Sequence, residues 1–154
     1  MIKLKISPQV IKAMKEELVL KQLTYEKQLT YLLEAAVAEL VNHAKLGAEY
    51  QDQTSNLRSS IGGMVLRNGI PVSYRGFEKT ETGTDGESGT KTGLEFATDV
   101  SKNLNTGYGI VIVAGMEYAT YVEDVHGLNV LGKTGLKAYE ELPKLLAQLK
   151  QRIG

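Results

Sequence analysis

Val111-Ile112-Val113-Ala114-Gly115-Met116-Glu117-Tyr118-Ala119-Thr120-Tyr121-Val122-Glu123 begins as a β-branched run and breaks sharply at Gly115. It then continues as a short segment in which tyrosines and acids alternate with small residues. Consecutive Val and Ile favour a pleated, buried strand, and extended back to Tyr108 this is the strongest strand pattern in the chain. Residues 118–124 have the length of one or two helical turns, ended by His126-Gly127. No nucleophile, metal cluster or phosphate loop accompanies the segment. It reads as a strand that delivers a Tyr/Glu surface for contact with another protein.

Working outward toward the N-terminus, Asn68-Gly69 separates residues 60–66 from residues 72–74. Asn-Gly between apolar β-formers is the strongest short-range hairpin signal, because both positions of a type I′ turn need positive φ. Gly62-Gly63 are expected to weaken the first strand or to place a bulge in it. Pro71 puts the return strand at a sheet edge or ends it early. Further upstream, Ser7-Pro8 pairs an N-cap hydroxyl with a proline at the first helical position. Nothing breaks a helix from there to Leu46, and Gly47 supplies the stop. Ile11, Met14 and Leu18, then Leu29, Leu32, Leu33, Ala36, Val37, Leu40, Val41 and Ala44, recur at helical spacing, less regularly over residues 19–28. The pattern predicts one long helix, or two pieces with a bend near Thr24. A single helix would run ~58 Å, longer than so small a domain can cover. One end should therefore project or pack on a neighbouring subunit.

On the other side, residues 76–93 are rich in Gly, Thr, Glu, Ser and Asp, and read as a mobile loop. Leu94, Ala97, Val100 and Leu104 fit a short helix. Residues 128–131 form a short extended piece, after which Thr134 is expected to cap a last helix. Its apolar face would be Leu136, Tyr139, Leu142, Leu146, Leu149 and Ile153, with a kink at Pro143. The fold class is α+β: a single domain over residues 1–154 in which a long N-terminal helix and a C-terminal helix pack on a small, mainly antiparallel sheet. The helices are expected on one face, with the 76–93 loop outside.

Composition narrows the function. The chain has 154 residues, with 18 Lys and Arg against 18 Asp and Glu. That balance disfavours a dedicated nucleic-acid binder and removes long-range repulsion between copies. The absence of cysteine excludes a thiol nucleophile and cysteine-ligated zinc. The Lys/aliphatic alternation of residues 1–7 lacks the apolar core of a signal peptide, and no run matches the ~20 apolar residues of a membrane helix. His43 reads as a solvated helix histidine and His126 as a turn histidine. One histidine beside Glu123 and Asp124 lacks the ligand count of a metal centre. The acid pairs Glu16-Glu17, Glu123-Asp124 and Glu140-Glu141 are adjacent and so do not share a helix face. Gly83, Gly86 and Gly89 lie in a polar stretch, not in the strand-to-helix setting of a phosphate loop. No catalytic residue, cofactor site, metal ligand set, small-molecule substrate or membrane partner is expected. Lys12, Lys15, Lys21 and Lys27, with Lys144, Lys150 and Arg152, keep a nucleic-acid accessory role as the alternative. An enzyme centred on Glu123 and His126 is a more remote one.

Two segments carry a resemblance. Thr54-Ser55-Asn56-Leu57-Arg58-Ser59-Ser60-Ile61 resembles the T-G-x-L-R-x-S-I element of the tail-completion, or head–tail joining, proteins of siphovirus-type phages and prophages. Gly115-Met116-Glu117-Tyr118-Ala119-Thr120-Tyr121-Val122-Glu123 resembles that family's later G-x-x-Y-A-x-Y-V-E element and is the more specific of the two. Both lie in the family's order, between a long N-terminal helix and a C-terminal helix, so the resemblance covers nearly the whole chain. Two departures stand out: Ser55 replaces the usual glycine, and Asp124-Val125-His126-Gly127 follows where Gly-Thr is common. The resemblance implies a non-catalytic virion subunit, made in the bacterial host cytoplasm. It would assemble with itself as a ring, typically a hexamer, and contact other neck and tail proteins, with DNA only as passing cargo. Leu57, Arg58, Tyr118, Tyr121 and Glu123 are the candidate protein-interface residues. Tyr118 and Tyr121 are expected to divide the work, one packing beneath the turn and one facing a neighbour.

Overall fold

A computed structural model describes residues 3, 5–81 and 83–153. Part of the N-terminal Lys/aliphatic segment, Thr82 of the 76–93 stretch, and the placement expected for the Ile153 side chain lie outside the described residues. The described chain folds as α1 (Pro8–Leu46), α2 (Asn56–Ser59), β1 (Ile61–Arg67), β2 (Ile70–Gly76), α3 (Glu87–Ser101), β3 (Tyr108–Ala114), α4 (Ala119–Asp124) and α5 (Gly132–Ile153). The α+β class and the long terminal helices are as the sequence predicts.

Helix α1 is one continuous helix, capped at its start by Ser7 Oγ, which accepts from the Val10 N–H. The hairpin forms on Asn68 (φ +52°) and Gly69 (φ +77°), and the sheet order is β2-β1-β3, all antiparallel. Pro71 does lie on an edge strand. The register irregularity falls between Val65 and Leu66, opposite the proline, and not at Gly62-Gly63. Those two glycines serve packing instead. A Cβ on Gly62 would meet the Phe77 ring, and one on Gly63 would meet Val37 and Ile112.

The helices cover both faces of the sheet, not one. Along β1, Ile61 and Val65 join the cluster built with Leu33, Val37 and Val41 of α1 and Leu149 of α5. Met64 and Leu66 point the other way, to Ala97 of α3, Phe77, Val111 and Val113. This is why β1 is a continuous apolar run: a central strand buried on both sides has no solvated face to alternate with. A third cluster, Tyr50, Leu57, Ala119 and Val130, closes the end where α2, α4 and the start of α5 meet.

The 76–93 stretch is not all loop. Residues 87–93 are the first turns of α3, and the glycines that made the segment look mobile are sites of close approach. A Cβ on Gly89 would enter the Asn56 carbonyl, and one on Gly93 would enter the Ser60 carbonyl. Small residues let α3 lie directly on the α2 backbone. Asn56 completes the joint: its Oδ1 accepts from the Gly86 and Gly89 N–H groups at 3.2 and 2.9 Å, and its Nδ2 donates to Asp85 at 3.3 Å. A residue remote in sequence thus satisfies the orphan donors at the α3 start.

Helix α5 begins at Gly132, before the expected Thr134 cap, and residues 128–131 are irregular rather than strand. Thr134 is buried and bonded to His43 Nδ1 at 2.9 Å, so His43 is a half-buried link between α1 and α5 and not a solvated residue. The buried side of α5 runs through Thr134 and Leu149, with Ala138, Leu142 and Leu145 half-buried. Leu136, Tyr139 and Leu146, expected on the core face, are exposed. Thr134, Ala138 and Leu145 follow helical spacing as well as the expected set does, and contact with α1 selects them.

Candidate functional site

The two segments that carry the resemblance close on each other. The Gly115 N–H points at both the carbonyl and the hydroxyl of Ser60, at 3.4 and 3.1 Å, while Ser60 Oγ donates to the Leu57 carbonyl at 2.7 Å. A Cβ on Gly115 would strike the Gly93 backbone. Ala119 of α4 packs on Leu57 of α2 in the third core cluster. The break at Gly115 therefore lets the chain leave β3 and turn across α2. Ser55, at the α2 N-cap, has φ +64° and ψ 8°, a left-handed conformation that glycine adopts without steric cost. This is the position at which the resembled family carries glycine.

The five candidate interface residues divide. Leu57 is 2 % exposed and belongs to the core; its contribution to any interface is the support of α2 from beneath. Glu123 spends its carboxylate inside the chain, accepting from the Leu131 N–H at 2.8 Å and the Gly132 N–H at 2.6 Å. It thus satisfies donors at the start of α5, where a negative charge also complements the helix dipole. Arg58 is half-buried; its backbone N–H donates to Asp52 Oδ2 at 2.7 Å, while its Nε is buried with no hydrogen-bond partner. Tyr118 and Tyr121 are 41 % and 55 % exposed. Neither packs beneath the turn. Tyr118 lies against α2, with Thr54 and the Leu57 backbone beside its hydroxyl, and its pKa is raised by burial and then by the Asp52 charge. Tyr121 turns outward, with His126 edge-on at 5.0 Å.

Sequence reading missed Tyr50 and Asp52. Tyr50 is buried in the third cluster, its pKa pushed up to about 12 by burial and then by Asp52. The Arg58 guanidinium lies near enough to favour its anion, yet Tyr50 Oη makes no hydrogen bond. Together these residues form a half-buried polar wall under Tyr118. Asn129 joins the far side: its Oδ1 accepts from the Lys133 N–H at 3.1 Å, and its Nδ2 donates to the Gly47 carbonyl at 3.0 Å. Only the contacts reveal these residues, because no motif or spacing marks them in the sequence.

The larger uncovered surface lies elsewhere. The first buried residue of α1 is Leu29, and the preceding part of the helix stands clear of the body. That is the projecting end its length implies, ~30 Å of it. The body first grips α1 at Glu26, which pairs with Arg67 at 2.9 Å, and Arg67 in turn lies over the Tyr108 ring. Between α1 and α5 runs a groove of about 530 Å³ lined by Tyr31, Leu32, Leu145 and Leu149 among others.

Other chemistry gains no geometry. Among the described residues, no group of three or more His, Asp or Glu could hold a metal ion, and no helix is long and apolar enough to cross a membrane. The lysines of α1 point to different sides, and Lys12 and Lys21 pair with Glu16 and Glu17 at 4.0 and 3.3 Å. No family model, curated protein or solved structure matches the chain.

Proposed function

We propose that this chain is a structural subunit of a siphovirus-type phage or prophage, a ring-forming adaptor that completes the tail at the head–tail junction. In this reading it acts without catalysis, resides in the virion, and passes DNA as cargo. The observation that carries the reading is the closure of the two family-like segments on each other, 55 residues apart at the Ser60–Gly115 contact. Ser55 in the backbone conformation that favours the family's glycine supports it further. Exposed Tyr118 and Tyr121 beside that joint suit a contact surface, since tyrosine combines apolar area with a polar tip.

Deleting the gene from an inducible phage tests the reading. Full heads and free, unjoined tails should accumulate, with infectivity restored by the chain in trans. Normal tailed particles from the deletion, or purified virions lacking the chain, would overturn it. So would a strict monomer that also fails to bind the portal and tail-tube proteins of that phage.

A further inference from the structure

The sheet has two edges, and they are built differently. Edge strand β2 carries Pro71, the register irregularity beside it, and Arg75, features that blunt pairing with another chain. Edge strand β3 has no proline, no charged residue and an unbroken register with β1. Hydrogen bonds at the ends of the sheet fix which of its backbone groups face outward. The Ile61 carbonyl accepts from the Phe77 N–H, so Ile61 turns toward β2. The Ser60 carbonyl accepts from the Gly115 N–H, and the Gly107 carbonyl from the Asn68 N–H, so Gly107 and Gly115 turn toward β1. Alternation along the antiparallel pair sends the N–H and C=O of Gly109, Val111 and Val113 to β1 as well. Those of Tyr108, Ile110, Ile112 and Ala114 point outward, and among the described residues no backbone group bonds to them. A cleft of about 300 Å³ runs along this side. Ile112, Val113 and Ala114 all line it, although their side chains alternate between the two faces of the sheet. Phe96 of α3 closes it from one face and Leu131 from the other. A cleft lined from both faces lies against the strand edge itself.

We infer that the free edge of β3 is a strand-acceptor site, which pairs with an extended segment of another protein and gains a fourth strand from it. The outward groups recur at every second residue, roughly 7 Å apart. An extended backbone presents matching donors and acceptors at that same repeat, which no compact ligand or helix does. The flanking faces then set the side chains of the incoming segment. Alternate residues come to lie beside Phe96, whose ring is 47 % exposed, and beside Leu131. Apolar and β-branched residues suit both neighbours. The lining holds two carboxylates, Glu123 and Asp124, and no cation. Glu123 is spent on the start of α5, so exposed Asp124 is left to select a lysine or arginine. The partner is therefore a short, extended, apolar segment with a flanking cation. This pairing is independent of the head–tail reading, since it rests on the sheet edge alone.

The probe is a synthetic peptide of about six residues, the usual length of a strand, alternating valine and threonine between terminal lysines. N-methylation of every second amide leaves it one pairing edge and stops it from pairing with itself. The full chain is titrated with this peptide while amide hydrogen exchange is followed by NMR. In the free chain the outward amides of Ile110 and Ile112 should exchange fast, and the inward amides of Val111 and Val113 slowly. Saturating peptide should slow Ile110 and Ile112 by about tenfold or more and leave Val111 and Val113 as they were. The same peptide methylated at every amide should not bind. Asp124→Lys should weaken binding about fivefold, and exchanging the peptide's lysines for glutamates should restore it. Phe96→Ser should weaken it too; both side chains are exposed, and far-UV circular dichroism checks that each variant folds. No binding at about 1 mM peptide, or equal binding of the fully methylated peptide, overturns the inference. So does protection gained elsewhere while Ile110 and Ile112 still exchange fast. Slow exchange of these two amides in the free chain overturns it as well. The edge would then be covered already, by the chain itself or, if protection grows with protein concentration, by a second copy.

Discussion

Ser55 holds φ at +64° while its side chain is fully buried and its hydroxyl has no hydrogen-bond partner, and both burdens disappear in Ser55→Gly. A left-handed backbone costs an L-residue about 1–2 kcal/mol. An unsatisfied buried hydroxyl costs about 1–3 kcal/mol. Against these stand the greater unfolded-state entropy of glycine, about 0.5–1 kcal/mol, and a small void beside Gly83, which packs on Ser55. The net expectation is stabilisation by about 1 kcal/mol, equivalent to a rise in Tm of about 2–4 °C for a chain of this size. Thermal unfolding followed by circular dichroism measures it, with urea denaturation as the check on ΔG. A Ser55→Ala variant separates the two sources, since it removes the hydroxyl and keeps the strain. A Tm lowered by 2 °C or more in Ser55→Gly would refute the reasoning. It would mean that the hydroxyl has a partner that outweighs the relief of strain.

Three further outcomes follow from the contacts. Gly89→Ala should destabilise by about 3 kcal/mol, because its Cβ meets the Asn56 backbone and α3 must move off α2; urea unfolding would show it, and a neutral result would place the two helices farther apart than described. Glu123→Ala should cost about 2 kcal/mol through loss of two charge-assisted bonds at the α5 start. Assembly measured well below its Tm should be unchanged; lost assembly at unchanged Tm would restore Glu123 as a contact residue. Tyr50→Phe should leave stability at neutral pH unchanged or raised, since Oη has no partner. Because folding raises the Tyr50 pKa from 10.0 to about 12, its contribution is fully present below pH 10 and is lost as pH rises toward 12. Tyr50→Phe should therefore unfold at higher alkaline pH than wild type; an unshifted midpoint would count against that burial.

The candidate site was legible in pieces. The break at Gly115 follows from local composition and the projecting arm from helix length against domain size. The outward placement of both Tyr118 and Tyr121, in contrast, differs from the expectation that one would pack beneath the turn. The inward roles of Leu57 in the core and of Glu123 at the α5 start were not legible, because a motif marks residues that matter without saying whether they face in or out. Leu57 is drawn under α2 by Ala119 and Val130, and Glu123 by the unpaired N–H groups of α5. Asn56 and His43 carry equally specific bonds to partners at least 29 residues away, a separation no spacing rule reaches.

The sequence by itself determined the elements whose signals are local. Ser7-Pro8 and Gly47 bound α1, Asn68-Gly69 sets the hairpin, and the β-branched run forms β3, because capping, turn conformation and strand stiffness act within a few residues. Tertiary structure decided everything that depends on what lies opposite. It chose which stripe of α5 meets α1, leaving Leu136 and Tyr139 in solvent. It placed helices on both faces of the sheet, and it turned a glycine-rich stretch from apparent loop into the close seam between α2 and α3. Periodicity says that a face exists, but burial is a property of two surfaces, and the second is supplied only when the chain has folded.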